Sequence, residues 1–331
     1  LGDKVGRKAA LYGAVLGTLP DLDVFLPYGG EVEAFTYHRG FSHSVLVHLL
    51  ISPLIVWLIT RCHQATAVYK KRWFWLVFLC LSTHGVLDSL TVYGTQLLWP
   101  ITEYPFGIAS LFIIDPLYTL PLLIAFIAVF LPKLPPYRAL RMNRAALVLS
   151  SVYIVWSLGT KFYIDQTVKT ALHDRQIQAE HYLSTPAPFS TLLWRILVMS
   201  GDEYYEGYVS IFDSPSEVSL DNYDSTESLL TEIEDEWDVQ RLQWFTKGFY
   251  AVKQEEKNII LSDLRMGVEC YYVFNFIVGE ESEAGIVKRV VEKVSVRPDL
   301  SMLGSVWDRV WDSSVSLAPM LENGLCVKQE G

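Results

Sequence analysis

The chain has 331 residues, 51% of them hydrophobic and 13% aromatic, with a mean hydropathy of +0.24; that is too apolar for an ordinary soluble domain and indicates an integral membrane protein. Residues 1–164 hold 13 Lys and Arg against 8 Asp and Glu, whereas residues 165–331 hold 14 against 29, so the acidic second half argues against nucleic acid as a partner. The cysteines Cys62, Cys80, Cys270 and Cys326 form no CxxC pair and predict neither a disulfide framework nor a cysteine-rich zinc site.

In chain order, Lys4, Arg7 and Lys8 open the sequence without the small-residue pattern of a cleavable signal peptide. The apolar stretch 9–19 predicts a short or re-entrant helix. Four longer apolar segments, 44–60, 73–92, 108–131 and 145–164, each approach the ~20 residues a bilayer core requires. Cys62 and Cys80 fall in or beside them and read as small buried thiols. The loop 61–72 carries Arg61, Lys70, Lys71 and Arg72, and the loop 132–144 carries Lys133, Arg138, Arg141 and Arg144. Both read as cytoplasmic by the positive-inside rule, which places the loop 93–107 and everything after 164 outside.

The tail is a different material. Residues 165–183 predict an amphipathic helix, and 184–197 carry the prolines of a linker or turn. Clusters of β-formers follow in YYEGYVSIF, NIILSDL, VECYYVFNFIV and GIVKRVVEKVSV, which suggest an antiparallel sheet. Residues 226–247 look like an acidic helix, with EIEDEWD as its solvated face. SVWDRVWDS (305–313) reads as aromatic core packing, with an exposed aromatic anchor as the other reading. Tyr204, Tyr205 and Tyr208 suit sheet packing, or a lid over a site. The expected fold is thus an α-helical membrane domain over 1–164, with four spans plus a short N-terminal helix, followed by a soluble periplasmic α+β domain over 165–331.

Ionisable residues inside the apolar half are costly and mark function. LPDLD supplies Asp21 and Asp23, HRGFSHS supplies His38 and His43, and HGVLD supplies His84 and Asp88. His84 and Asp88 are four apart and share a helix face, where an imidazole and a carboxylate can grip one ion or form a plain hydrogen-bonded pair. Asp21 and Asp23 can turn towards a cation or be a solvated helix stop. His48, a turn deeper than His43, reads as a packed histidine. The expected topology brings all six candidates, with Glu103 and Asp115 near them, to the outer depth. Such donors suit zinc, with manganese possible and one or two ions accommodated. A bound metal would acidify water, Asp23 or His43 could act as base, and Arg39 could steady an anionic substrate oxygen or simply snorkel.

The elements GRKAALYGAVLGTLPDLD, HRGFSHS, HGVLDSLTVYGTQLLWP and FIIDPLYTLP, in this order over residues 6–122, resemble the YdjM-like family of bacterial inner-membrane, metal-dependent hydrolases. The resemblance implies a metal site of Asp21, Asp23, His38, His43, His84 and Asp88, with Tyr93, Gly94 and Thr95 close by. Through that family's more distant likeness to the zinc-dependent phospholipase C and single-strand nuclease superfamily, it implies a phosphoester substrate, a membrane lipid among the candidates. A transporter with a proton or cation path is the competing reading, but LISPLIVWLIT and RWFWLVFL are bare of charge where such a path would run. A third reading is a membrane scaffold with a structural metal and a partner-binding acidic tail.

Overall fold

The structure, a computed structural model, describes residues 5–294 and 303–317; Lys4, Cys326 and residues 295–296 of the last β-rich run lie outside them. The chain divides into two compact units. One comprises Leu1–Tyr28, Tyr37–Ile108 and Ile113–Trp156, the other Gly29–Thr36, Ala109–Phe112 and Ser157–Gly331. Among the described residues the α-helices are α1 (Lys8–Thr18), α2 (Glu31–Tyr37), α3 (Val45–Cys62), α4 (Lys70–Asp88), α5 (Pro116–Phe130), α6 (Pro136–Asp174), α7 (Trp237–Thr246) and α8 (Leu303–Trp311).

In the first unit, Leu16 of α1, Val56 and Ile59 of α3, and Trp73, Val77 and Leu81 of α4 form the buried core. Outward, Leu50, Leu54 and Leu58 on α3 and Val148, Val152 and Val155 on α6 are all exposed, the arrangement that lipid, not water, rewards. Among the described residues two helices are long and apolar enough to cross a membrane, α3 and α6, so the expectation of four spans is corrected. α4 covers ~28 Å at 1.5 Å per residue, but it opens on Lys70, Lys71 and Arg72 and closes on His84 and Asp88. α5 is only 15 residues long. Its start is fixed by the Asp115 carboxylate, which accepts from Leu117 N at 3.0 Å and Tyr118 N at 3.4 Å, and by Pro116, which suits a first helical turn. Residues 108–115 therefore stay outside the helix. α6 in turn absorbs much of the separate helix expected from 165.

α1, ~17 Å long, links the basic loops to the acidic turn. Near its start, Arg7 Nη2 donates to Leu131 O at 3.4 Å, and Tyr12 OH and His63 Nε2 are 2.7 Å apart. At its end lies the 3₁₀ turn Pro20–Phe25, which carries Asp21 and Asp23.

The second unit holds two four-stranded antiparallel meanders. The first runs β1 (His181–Pro186), β2 (Leu193–Ser200), β3 (Glu203–Ser210), β4 (Ser219–Asp224), and the second runs β5 (Tyr250–Glu255), β6 (Asn258–Val268), β7 (Tyr271–Ser282), β8 (Gly285–Val294). β2 is buried along almost its whole length because both its faces are covered, so apolar residues stand on both sides of Arg195. Trp194, Ile196 and Val198 pack on Ile164, Val168, Ala171 and Leu172 of α6. Leu197 and Met199 pack on Phe249, Ala251, Leu264 and Tyr272 from the second sheet's side. Between the sheets, buried Arg195 pairs with Glu206 and donates to Leu264 O at 2.8 Å. Tyr272 OH donates to Glu206 at 2.7 Å, and Tyr223 OH donates to Glu269. Burial, then the nearby Glu206 charge, pushes the Glu269 carboxyl up to about 8. Cys270 is disulfide-bonded, contrary to the expectation from cysteine spacing, while Cys62 and Cys80 are free.

Three further expectations change. The acidic helix of 226–247 begins only at Trp237, after a short 3₁₀ turn Glu227–Leu230. Tyr204 and Tyr208 are 2% and 6% exposed, so they belong to the core and not to a lid. SVWDRVWDS forms α8, and only its valine face is packed: Val310 is buried with Ala187, Leu193 and Tyr208, while Trp307 and Trp311 are 56% and 60% exposed.

Candidate metal centre

Three chain segments converge in the first unit. The turn Pro20–Phe25 brings Asp21, the turn Phe41–His43 brings His43, and the last two turns of α4 bring His84 and Asp88. One ligand atom from each of Asp21, His43, His84 and Asp88 lies within 4.8 Å of all the others. His43 Nε2 is 3.0 Å from Asp88 Oδ2 and 3.4 Å from Asp21 Oδ1. His84 Nε2 is 3.3 Å from the same Asp21 oxygen and 3.4 Å from the same Asp88 oxygen. The i,i+4 spacing of His84 and Asp88 puts both on one face of α4, as the sequence predicts.

The close approach of α4 to the His43 turn depends on Gly85. A Cβ there would stand 2.6 Å from the His43 carbonyl oxygen, so only glycine lets the two backbones meet. The loop after α4 clamps the other side of the turn: Gln96 N donates to Arg39 O at 2.9 Å, Val45 N to Leu97 O at 3.0 Å, and Ser44 Oγ to Trp99 O at 2.6 Å. Ser44 also caps α3 by accepting from Val47 N, which starts that helix immediately after His43.

Asp23 and His38, also candidates from the sequence, sit beside the four and not among them. Asp23 is 4% exposed. It accepts from His38 Nδ1 at 2.7 Å, from Arg39 N at 3.0 Å and from Ser42 Oγ at 2.5 Å. Burial would raise its pKa, but these donors more than offset it and hold the carboxyl below the usual range. The consequence reaches His43. Ser42 spends its proton on Asp23, so its oxygen accepts from His43 Nδ1, 2.9 Å away. His43 then carries its proton on Nδ1 and points a bare Nε2 lone pair into the cluster. This fits a metal: His43 Nε2 and Asp88 Oδ2 are both buried without a hydrogen bond of good geometry, as two acceptors aimed at a common third atom would be. The donor set, two imidazoles and two carboxylates, is that of a zinc or similar borderline divalent site.

Asp21 is the open side, its side chain 50% exposed against 0% for His43. The imidazoles of His43 and then His84 beside it hold its carboxyl far below the ordinary carboxylate range. Arg39 adopts φ +61° and is 7% exposed. Its guanidinium lies 3.3 Å from Asp88 Oδ2, donates to Thr91 Oγ1 at 3.2 Å and covers the Tyr93 ring at 5.2 Å, so it is engaged inside the site. Gly94 takes φ +111°, and Thr95 bridges Phe106; with buried Tyr93 they form the wall of the loop. Asp115 caps α5 and accepts from Tyr153 OH at 2.7 Å, and Glu103 lies on the exposed loop surface. His48 donates to Ser42 O at 2.7 Å and is 2% exposed, a packed histidine. Two site residues escape a reading of the sequence, Ser42 and Gly85; their adjacency to His43 and His84 is the only local signal.

A family model described as YdjM inner membrane protein matches residues 2–167, which include every residue of this centre. The chain is 26% identical over 234 residues to the uncharacterized protein YfhP of Bacillus subtilis (strain 168), covering 66% of this chain and 68% of that protein. It is 34% identical over 110 residues to the inner membrane protein YbcI of Escherichia coli (strain K12), covering 32% of this chain and 62% of that protein. No solved structure matches the chain significantly. With the family match spanning half the chain and the whole of the His/Asp cluster, this chain belongs to the YdjM inner membrane protein family.

Proposed function

We propose that this protein is a membrane-bound metal-dependent hydrolase acting on an ester or phosphoester, with a membrane lipid as the substrate class its surroundings favour. The observation that carries the reading is the convergence of Asp21, His43, His84 and Asp88 within 4.8 Å, with His43 Nε2 left without a proton to donate. A divalent ion held there would act as a Lewis acid and make a water molecule acidic enough to ionise near neutral pH. The chain's own parts divide the remaining work. Asp88, held by Arg39, and His43, held through Ser42 by Asp23, are the fixed ligands. Asp21, its side chain half-exposed, is the open side of the cluster, from which a substrate can approach. The exposed leucines of α3 and α6 keep an apolar substrate within reach.

We further place the second unit outside the inner membrane. The basic loops 61–72 and 132–144 belong on the cytoplasmic side, with α4 and α5 leaving and returning to that side and α6 crossing away from it. Arg7 beside Leu131 and His63 beside Tyr12 support this reading, in which the start of α1 lies on the basic side and the metal centre at the helix's other end. A disulfide at Cys270 suits the oxidising compartment this topology requires.

The test is elemental analysis of the purified protein, followed by assay on phosphomonoester and phosphodiester lipids with and without chelator. Near-stoichiometric zinc or manganese and chelator-sensitive hydrolysis are expected, both abolished by His84→Ala with Asp88→Ala while the helical circular dichroism persists. Metal retained by that double variant would remove the metal reading, and bound metal without hydrolysis of any ester would leave a structural site.

A further inference from the structure

α6 crosses into the second unit at Ser157, and its direction along the first sheet is fixed at two points. Lys161 Nζ donates to Ser184 O at 3.0 Å and to Ser184 Oγ at 2.8 Å. Thirteen residues later the helix ends at Asp174, and the chain beyond it is tied to the end of β2, with Glu180 N donating to Met199 O at 2.9 Å and Ser200 Oγ to Gln178 O at 2.9 Å. The sheet therefore has a near end, towards Ser157, and a far end, towards Asp174. A strand rises ~3.3 Å per residue and a helix 1.5 Å. Ala187, three residues past Ser184, thus lies ~10 Å nearer the Ser157 end of the helix than Ser184 does.

The two ends differ in chemistry. The far end exposes His173, Asp174, Arg175, Gln176, Gly201 and Asp202. The near end carries the 187–192 turn, the 211–218 turn and α8. α8 is pinned there by Ser210 Oγ donating to Val310 O at 2.7 Å and by Arg309 Nη2 donating to Tyr208 O at 2.7 Å. This end exposes Phe189 at 45%, Phe212 at 59%, Trp307 at 56% and Trp311 at 60%. They are organised: Phe212 stacks on Trp311 with centroids 5.1 Å apart, Trp311 meets Trp307 edge-on at 5.6 Å, and Phe189 meets Phe112 at 5.4 Å. α6 itself exposes Phe162 at 68% and Tyr163 at 49%, one turn past Ser157.

Exposed tryptophans and phenylalanines at the end of a domain from which a lipid-crossing helix emerges have one occupant that is always present, the bilayer interface, where such rings are most favoured. We propose that the near end of the first sheet, through Phe189, Phe212, Trp307 and Trp311, seats on the lipid headgroup layer of the membrane that α6 leaves. The neighbouring Asp308 and Asp312, both exposed, keep the insertion shallow. The surface anchors the domain independently of the metal centre and of its chemistry.

The test uses the full chain in phosphatidylethanolamine/phosphatidylglycerol liposomes. Nitroxide labels are placed singly at Phe212→Cys, Asp202→Cys and Val152→Cys in a Cys62→Ser, Cys80→Ser background, with power saturation by oxygen and by a water-soluble nickel chelate. Position 152 gives the lipid reference and position 202 the aqueous one. Position 212 is expected to favour oxygen over nickel several-fold more than 202, and to lose that preference when Trp307 and Trp311 are both changed to Ser. Nickel access at 212 equal to that at 202 would overturn the proposal. So would shielding from both reagents, or shielding that grows with protein-to-lipid ratio, because each means a protein partner or a second copy covers the patch. Nickel access at 152 would overturn it separately, by removing α6 from the bilayer.

Discussion

The sharpest consequence of the site geometry concerns Asp23, which the sequence offers as a metal ligand and the structure places one shell out. Its carboxylate receives His38 Nδ1, Arg39 N and Ser42 Oγ, and through Ser42 it decides which nitrogen of His43 is protonated. Asp23→Asn preserves the volume but turns one acceptor oxygen into an amide donor, which opposes at least one of the three hydrogen bonds. His43 then loses its bias towards the Nδ1 tautomer but keeps its position, wedged beside Gly85. Removing such a supporting partner typically weakens metal binding by ~10–100-fold, about 1.4–2.8 kcal/mol at ~1.4 kcal/mol per tenfold. Asp88→Asn, which alters a ligand directly, should cost more. Competition of a zinc-chelating dye against the purified protein in nanodiscs measures both. Equal losses in the two variants would make Asp23 a ligand and refute the shell assignment, and no loss in either would refute the metal centre.

Gly85→Ala should weaken metal binding roughly tenfold or more in the same assay, because misplacing a ligand by a fraction of an ångström loosens a site; the new methyl would meet His43 O at 2.6 Å, although alanine is the better helix former by ~1 kcal/mol. The pH dependence of stability has a defined sign in the second unit. Glu269 is held protonated in the fold up to about 8, whereas an unfolded glutamate releases its proton near ~4.3. The native state then binds the extra proton, so this group's stabilisation is fully present below ~4.3 and falls as pH rises to about 8, by at most ~1.4 kcal/mol per unit. Glu269→Gln can still accept from Tyr223 OH and should flatten that slope in melting curves taken from pH 5 to 9; an unchanged slope assigns it to other groups. Burial, then the Arg265 charge, lowers the Lys247 ammonium to about 8, so the curve should turn upward above that pH as the unfolded chain becomes the better proton binder. Peptide mass mapping of the unfolded protein should find Cys270 alkylated only after reduction, with Cys62 and Cys80 reactive before it.

What the sequence reveals here follows from how local each feature is. The His84–Asp88 pair is legible because helical spacing alone puts the two on one face. The antiparallel character of the tail is legible because alternation and β-formers are local signals, though β1 and much of β2 fall where the sequence reads as the end of a helix and a proline-bearing linker. The partition of Asp21 from Asp23 is not legible. The two differ only in which way a 3₁₀ turn rolls them, one towards His43 and His84, the other towards His38 and Ser42, and that is set by contacts 15 to 63 residues away in sequence. The span count misleads for a related reason. Hydropathy counts apolar residues wherever they lie, but Asp115 and Pro116 start α5 eight residues into its apolar segment, leaving 15 residues of helix where ~20 are needed. A polar position can thus cut a helix short, as the acid that caps α5 does, or leave it long enough but too polar, as the basic start and the His84–Asp88 end of the 19-residue α4 do.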